Sequence, residues 1–146
     1  MYQRDFIMRM VEMLVELVAG ILGLIKKGEF DKAAQSIDNA YRDLLKEDAS
    51  FFTSIPLNEL TDVLIGEHNY TNGHLEILSE LFYTQAELLF AQSKLGESIN
   101  FYKKALKLFN FVIKQSGTFS IEKQSKIQYI ENRIAELNID NTTKNE

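Results

Sequence analysis

The sequence has no cysteine and no tryptophan, one proline and only two histidines among its 146 residues. The absence of cysteine excludes disulfide bonds, thiol catalysis, iron–sulfur clusters and cysteine-ligated zinc. It is typical of a reducing compartment, and we expect a cytoplasmic protein. One proline and seven glycines leave little room for a loop-rich fold, and no strand-like alternation is sustained. The composition therefore favours an all-α chain.

Motifs that carry chemistry are also missing. No glycine-rich phosphate loop follows a strand, and no Gly-x-Ser-x-Gly elbow occurs. We therefore expect no enzyme activity and no cofactor. The net charge is −5, and the basic face formed by Lys103, Lys107 and Lys114 carries no interleaved aromatic residues. Both features argue against a nucleic-acid partner.

The first predicted helix, residues 5–27, is apolar around most of its circumference. Its polar or small residues form one narrow stripe at spacings of three and four: Asp5, Arg9, Glu12, Glu16, Gly20, Gly23 and Lys27. A helix of this kind must be covered by other helices or by a second subunit. The charges inside the run argue against a membrane span and a signal peptide. We therefore expect no stable membrane insertion and a dimer seam on this helix.

The pattern predicts about six helices in a single domain over residues 1–137. After the first helix, which ends at Gly28, we expect helices over 30–46, 56–65, 74–94, 96–115 and 120–137. Residues 47–55 are expected to form a connector whose Phe51 and Phe52 reach the core, and Asn72-Gly73 is the clearest turn. The polar segment 138–146 is expected to be a disordered tail.

Apolar rows indicate which faces are buried. The fourth helix has a predicted inner row (Leu75, Leu78, Phe82, Ala86, Leu89) and an outer acidic stripe (Glu76, Glu80, Glu87). The sixth helix has one thin row, typical of a terminal helix with one covered face: Ile127, Ile130, Ile134 and Leu137.

An internal repeat relates the second and fifth helices at an offset of 65 residues. Small positions match small ones, as Ala33 matches Ser98 and Ala40 matches Ala105. The segments 28–34 and 94–99 resemble the turn and second helix of a tetratricopeptide repeat. The usual aromatic and glycine positions of the first helix and the closing proline are absent. The resemblance implies antiparallel helix pairs in a right-handed array or a compact bundle, and the alternative is a generic helical hairpin.

The opening segment 3–12, QRDFIMRMVE, resembles the start of an all-helical family of bacterial proteins of unknown function. Members of that family, mostly from Gram-positive species, open with a QRDYIMRMIE-like segment and continue with a KEGKYEEAL-like turn. Residues 27–34, KGEFDKAA, match that turn loosely. The resemblance implies a bacterial origin and a helical fold, and it carries no activity.

Two sets of candidate site residues follow. Arg4, Asp5, Arg9 and Glu12 stand at helical neighbour spacings and predict a ladder of ion pairs, which either recognises a partner or locks the helix in place. The predicted partner-binding residues are Arg4, Arg9, Met10, Glu12 and Leu14. Separately, His68 and His74, with Glu67 and Glu76 nearby, are weak candidates for a metal site. They match no metal-binding spacing, so surface histidines are the preferred interpretation.

Two classes of function stay open. The first is a non-catalytic interaction or scaffold module, a homodimer or a groove that takes a helix or an extended peptide of another protein. The alternative is a small-ligand or metal-binding sensor with a pocket inside the bundle. The aromatic residues expected to line that pocket are Phe82, Phe90, Phe101, Tyr102 and Phe109.

Overall fold

The computed structural model describes residues 2–117 and 120–144, with the side chains of residues 6–117 and 120–138. Within that part of the chain all regular structure is helical, as the composition predicts. The α-helices are α1 (Tyr2–Lys26), α2 (Phe30–Leu45), α3 (Ala49–Thr53), α4 (Asn72–Ala91), α5 (Leu95–Ser116) and α6 (Ile121–Lys144). A 3₁₀ turn (Leu57–Glu59) and a π-helix (Asp62–Glu67) lie between α3 and α4.

Two helical hairpins build the core. α1 pairs with α2 and α4 pairs with α5, while α4 also contacts both helices of the first hairpin. This central place explains why α4 is buried on several sides. The predicted inner row of α4 is confirmed, since all five of its residues are buried. One hydrophobic cluster runs through α1, α2, α4, α5 and α6.

The turns of the two hairpins match residue by residue at the predicted offset of 65. Gly28 and Ser93 both adopt positive φ, at 79° and 63°. The next residue of each turn donates its backbone N–H to a carbonyl five residues earlier, Glu29 to Leu24 and Lys94 to Leu89, both at 2.9 Å. This is the closing pattern of a helix that ends on a left-handed residue. The repeat seen in the sequence therefore corresponds to a repeated turn.

Small residues sit where the helices of each hairpin approach. Ala33 and Ser98, equivalent at the offset of 65, are both fully buried. The Ser98 hydroxyl donates to the Ala86 carbonyl of α4 at 3.0 Å, which satisfies its polar group inside the core. A larger side chain at either position would push the paired helices apart.

The segment between the hairpins differs from the prediction. The expected helix over 56–65 is instead the 3₁₀ turn and the π-helix, and α3 lies within the expected connector. The physical reason is support from a distant helix: Lys104 and Lys107 of α5 donate to the carbonyls of Thr53 and Leu57 at 3.1 and 2.9 Å. The expectation for Phe51 and Phe52 is confirmed, because Phe52 is fully buried and Phe51 half-buried against the core.

The start of α4 is a second correction. Asn72-Gly73 was expected to be a break, but both residues belong to the first turn of α4. Thr71 and His74 form a capping box that satisfies the first backbone N–H groups. Gly73 serves close packing there, because a Cβ at this position would overlap the side chain of Ile7 in α1.

α6 covers the acidic stripe that was expected to face solvent. Lys123 pairs with Glu76 at 2.7 Å, and Lys126 pairs with Glu80 at 2.8 Å. The predicted inner row of α6 is buried at Ile127, Ile130 and Leu137 and half-buried at Ile134. The helical backbone extends to Lys144. Of the expected tail over 138–146, residues 145 and 146 and the side chains of 139–144 lie outside the described residues.

Candidate interaction surface

α1 leaves large apolar side chains exposed at both edges of its solvent-facing side. Its inner row, Met10, Leu14, Val18 and Ile21, is buried against the rest of the chain. Outside this row, Phe6 is 57% exposed, Met8 54%, Met13 65% and Val15 69%. We call these four residues the exposed α1 face. They form two pairs, Phe6 with Met13 and Met8 with Val15, and charged side chains lie between the pairs. Four large apolar side chains exposed on one helix indicate a contact site.

The predicted partner-binding residues divide between the surface and the core. Arg9 and Glu12 are exposed and lie between the two apolar pairs of the exposed α1 face. Met10 and Leu14 are 8% and 1% exposed, so they are buried within the chain and are not part of the surface. The side chains of Arg4 and Asp5 lie outside the described residues. Among the described side chains, Arg9 and Glu12 form no ion pair with each other.

The four residues of the exposed α1 face were missed as candidate site residues. The sequence carried the signal, since the apolar residues of this helix far outnumber those that one inner row accommodates. The missing information was which row faces the core. Met10 and Met13 are the same residue type on the same apolar helix. Only the packing of α4 and α2 against α1 shows that Met10 is buried and Met13 is exposed.

Two surface grooves border α1. One, of about 980 Å³, lies between the start of α1, the end of α2 and the start of α4. Its walls include Phe6, Met10, Leu45, Tyr70 and His74. A second, of about 290 Å³, lies between α1 and α6 and has Val15 and Lys126 on its two walls. Three residues of the exposed α1 face therefore line these grooves, Phe6 and Met8 the larger one and Val15 the smaller one.

A cluster of rings lies beside the larger groove and includes both histidines. The Tyr70 ring stands between them, with its centroid 4.7 Å from that of His68 and 4.6 Å from that of His74. His74 Nδ1 accepts the Thr71 backbone N–H at 3.2 Å, and His68 Nε2 lies 3.8 Å from a Glu47 carboxylate oxygen. Burial, together with the charge of His68, lowers the pKa of His74.

The metal interpretation gains no support from this arrangement. Tyr70 separates His68 and His74, and one nitrogen of His74 is committed to the helix cap. Within the described residues, no group of three or more His, Asp or Glu side chains is placed to hold a metal ion.

The aromatic residues expected to line an internal pocket are packed instead. Phe82, Tyr102 and Phe109 are fully buried. The Arg133 guanidinium of α6 lies 3.8 Å from the ring centroid of Phe90, and Lys104 Nζ lies 5.1 Å from that of Phe101. Neither of the two grooves described above is lined by these rings.

Lys104 is the most buried charged side chain of α5. Its Nζ donates to the Thr53 carbonyl, and burial lowers its pKa. The contacts with the Phe82 and Phe101 rings cover the rest of the ammonium group. Lys104 therefore anchors the end of α3 to α5, and neither groove reaches it.

Comparison with known proteins finds no matching family, no similar curated protein and no similar solved structure. None of the helices in the described residues is both long enough and apolar enough to cross a bilayer. The fold and surface thus define the chain as an all-α protein with an exposed apolar helix.

Proposed function

We propose that this chain is a non-catalytic helical module that binds other proteins, including a second copy of itself, through the exposed α1 face. The observation that carries the proposal is the exposure of Phe6, Met8, Met13 and Val15 on one helix. Removing apolar area from water stabilises an association by roughly 25 cal/mol per Å² before the costs of binding.

Substitution of Met13 by Glu tests this proposal. The new carboxylate would be desolvated at an interface, so we expect Met13→Glu to shift the protein from dimer to monomer in light scattering. Ile121→Glu is the matched control, because Ile121 is also strongly exposed but lies on α6. Circular dichroism of both variants checks that the fold is retained. A wild-type chain that stays monomeric at high concentration would contradict self-association.

A second candidate function is a small-ligand sensor, and the groove of about 980 Å³ favours it. This groove lies at the surface beside α1 rather than inside the bundle. Its lining combines apolar side chains with Tyr70 and His74, a mixture found in ligand sites. Native mass spectrometry of the untagged protein distinguishes the two functions, since a monomer carrying an organic or metal adduct supports the sensor.

We further propose that the hairpins are related to tetratricopeptide repeats. The matching turns at Gly28 and Ser93 and the buried pair Ala33 and Ser98 support this relationship. The likeness of the opening segment to the bacterial family, and with it a bacterial origin, also stays a proposal. So does the cytoplasmic location, which rests on the absence of cysteine.

The proposal excludes nucleic acid as a partner. Of the lysines that form the basic cluster of α5, Lys104 is buried and Lys107 is bound to the Leu57 carbonyl. Lys103 and Lys114 are exposed but stand eleven residues apart on a chain with a net charge of −5. Nucleic-acid binding relies on clustered positive charge, which this surface does not provide.

A further inference from the structure

Five exposed residues of α1 form a strip that is complementary to itself when reversed. They are Phe6, Arg9, Met13, Glu16 and Gly20, spaced three, four, three and four residues apart, and we call them the Met13 strip. This spacing places all five on one side of the helix. From one end to the other the strip reads large apolar, cation, apolar, anion, glycine.

From this strip we infer that the partner of its apolar residues, Phe6 and Met13, is a second α1 packed antiparallel, with Met13 on the two-fold axis. This inference rests on the proposed function and specifies its geometry. Turned end to end about Met13, Phe6 lies at the level of Gly20 of the second copy. Arg9 then lies one residue, about 1.5 Å along the axis, from the level of Glu16 of the second copy, within reach of an ion pair. A two-fold axis repeats both contacts, as in a closed isologous dimer.

Gly20 is a second observation on the same strip. It lies in the middle of α1, and a Cβ placed on it would meet nothing within 4 Å, as is also the case at Gly23. Nothing within the chain therefore requires glycine there, although glycine inside a helix costs about 0.5–1 kcal/mol relative to alanine. Close approach of another backbone or a bulky side chain is a physical reason for such a glycine, and the antiparallel pair places Phe6 there.

The charges favour the same orientation. Arg9 and Glu16 are seven residues apart, too far along the helix to pair within one chain. In an antiparallel pair each lies opposite the other residue's copy, whereas a parallel pair would set Arg9 against Arg9 and Glu16 against Glu16. Like charges held together at an interface suppress the wrong arrangement.

Cysteine cross-linking tests the orientation in the full chain, which has no cysteine of its own. We expect Met13→Cys to form a covalent dimer under mild oxidation. Phe6→Cys is expected not to form one. In the antiparallel pair, position 6 of the second copy lies at the level of position 20 of the first, so the two cysteines are fourteen residues, or about 21 Å, apart along the helix. A mixture of Phe6→Cys with Gly20→Cys chains is expected to give the mixed dimer.

The outcomes separate this inference from the proposed function. Ile121→Cys on α6 reports the background from random collisions. A cross-linked Phe6→Cys dimer, or a mixture that stays at background, overturns the antiparallel arrangement while self-association through α1 stands. A wild-type monomer with every variant at background overturns both.

Charge-reversal variants and a glycine substitution test the arrangement without cross-linking. Arg9→Glu and Glu16→Arg are each expected to weaken the dimer about tenfold, and the double variant is expected to restore it. Gly20→Ala is expected to raise the melting temperature of the diluted monomer while weakening the dimer. A purely structural role for Gly20 would move the two readouts together, and that result would overturn the contact with Phe6.

Discussion

At the residue scale, His74 links the stability of the fold to pH. Its Nδ1 accepts the Thr71 N–H only while that nitrogen carries no proton, and its ring is stacked on Tyr70. Burial lowers the pKa of His74 in the folded chain below its ordinary value of 6.5, and the charge of His68 lowers it further. The unfolded chain therefore binds the proton more tightly. Stability is lost as the pH falls through 6.5 towards the lower pKa of the folded state.

His74→Glu tests this link. Glutamate at the same position completes a Thr-x-x-Glu capping box without an imidazole that titrates near neutral pH. We expect urea unfolding to show that the variant loses much less stability than the wild type between pH 7 and pH 5.5, roughly the range in which histidine titrates. His68→Gln is the control and is expected to keep most of the loss. Equal pH profiles for His74→Glu and the wild type would contradict the assignment.

Gly73 and Gly96 provide a matched pair of glycines. Each is the second residue of a long helix, but only Gly73 lies against another side chain, that of Ile7. We expect Gly73→Ala to lower the free energy of unfolding by about 1–3 kcal/mol through overpacking. Gly96→Ala faces open space and is expected to leave it unchanged or raise it by up to about 1 kcal/mol. Thermal or urea unfolding checks both, and a Gly73→Ala variant as stable as the wild type would refute the packing of α1 on α4.

At the scale of elements, α6 is held by one apolar row and two ion pairs. Ile130 lies in that row and is fully buried, whereas Ile121 on the same helix is 73% exposed. We expect Ile130→Ala to cost about 2–4 kcal/mol of unfolding free energy, since it leaves a cavity between α6 and the core. Ile121→Ala is expected to change it by less than about 0.5 kcal/mol. Equal effects of the two substitutions would show that α6 does not dock as described.

The helices themselves could be predicted because their signals are local. The apolar rows of α4 and α6 repeat at helical spacing, and the turn ending in Gly28 has a characteristic glycine. The position of α6 could not be predicted, because the sequence pattern of Glu76 and Glu80 is that of a solvent-facing stripe. Their partners Lys123 and Lys126 lie more than forty residues further along the chain. α3 was missed for the same reason, since its end is capped by Lys104 of α5.

The candidate site was predictable only to the level of the helix. The excess of apolar residues on α1 predicts that it is a contact element. Choosing Met10 and Leu14 rather than Met13 and Val15 required knowing which row α4 covers. A charge introduced at Met10 or Leu14 would therefore disturb folding, and Met13 is the position where association is tested without disturbing the core.

At the scale of the whole molecule, α4 of the second hairpin contacts both helices of the first, and the solvent-facing side of α1 has no partner within the chain. Among the described side chains, the apolar rows of the other long helices are covered, apart from single exposed residues such as Ile121. Isolated apolar residues are normal on a protein surface, whereas two exposed apolar pairs on one helix indicate a contact site. The account as a whole therefore depends on whether a second copy covers the pair formed by Phe6 and Met13.

The most direct test is sedimentation equilibrium of the untagged, full-length chain over a wide range of concentrations. The account predicts a mass that rises with concentration from one chain towards two and goes no higher, because a two-fold contact closes on itself. The Met13→Glu variant should keep the mass of one chain over the same range. A wild-type mass that stays at one chain throughout would contradict the account.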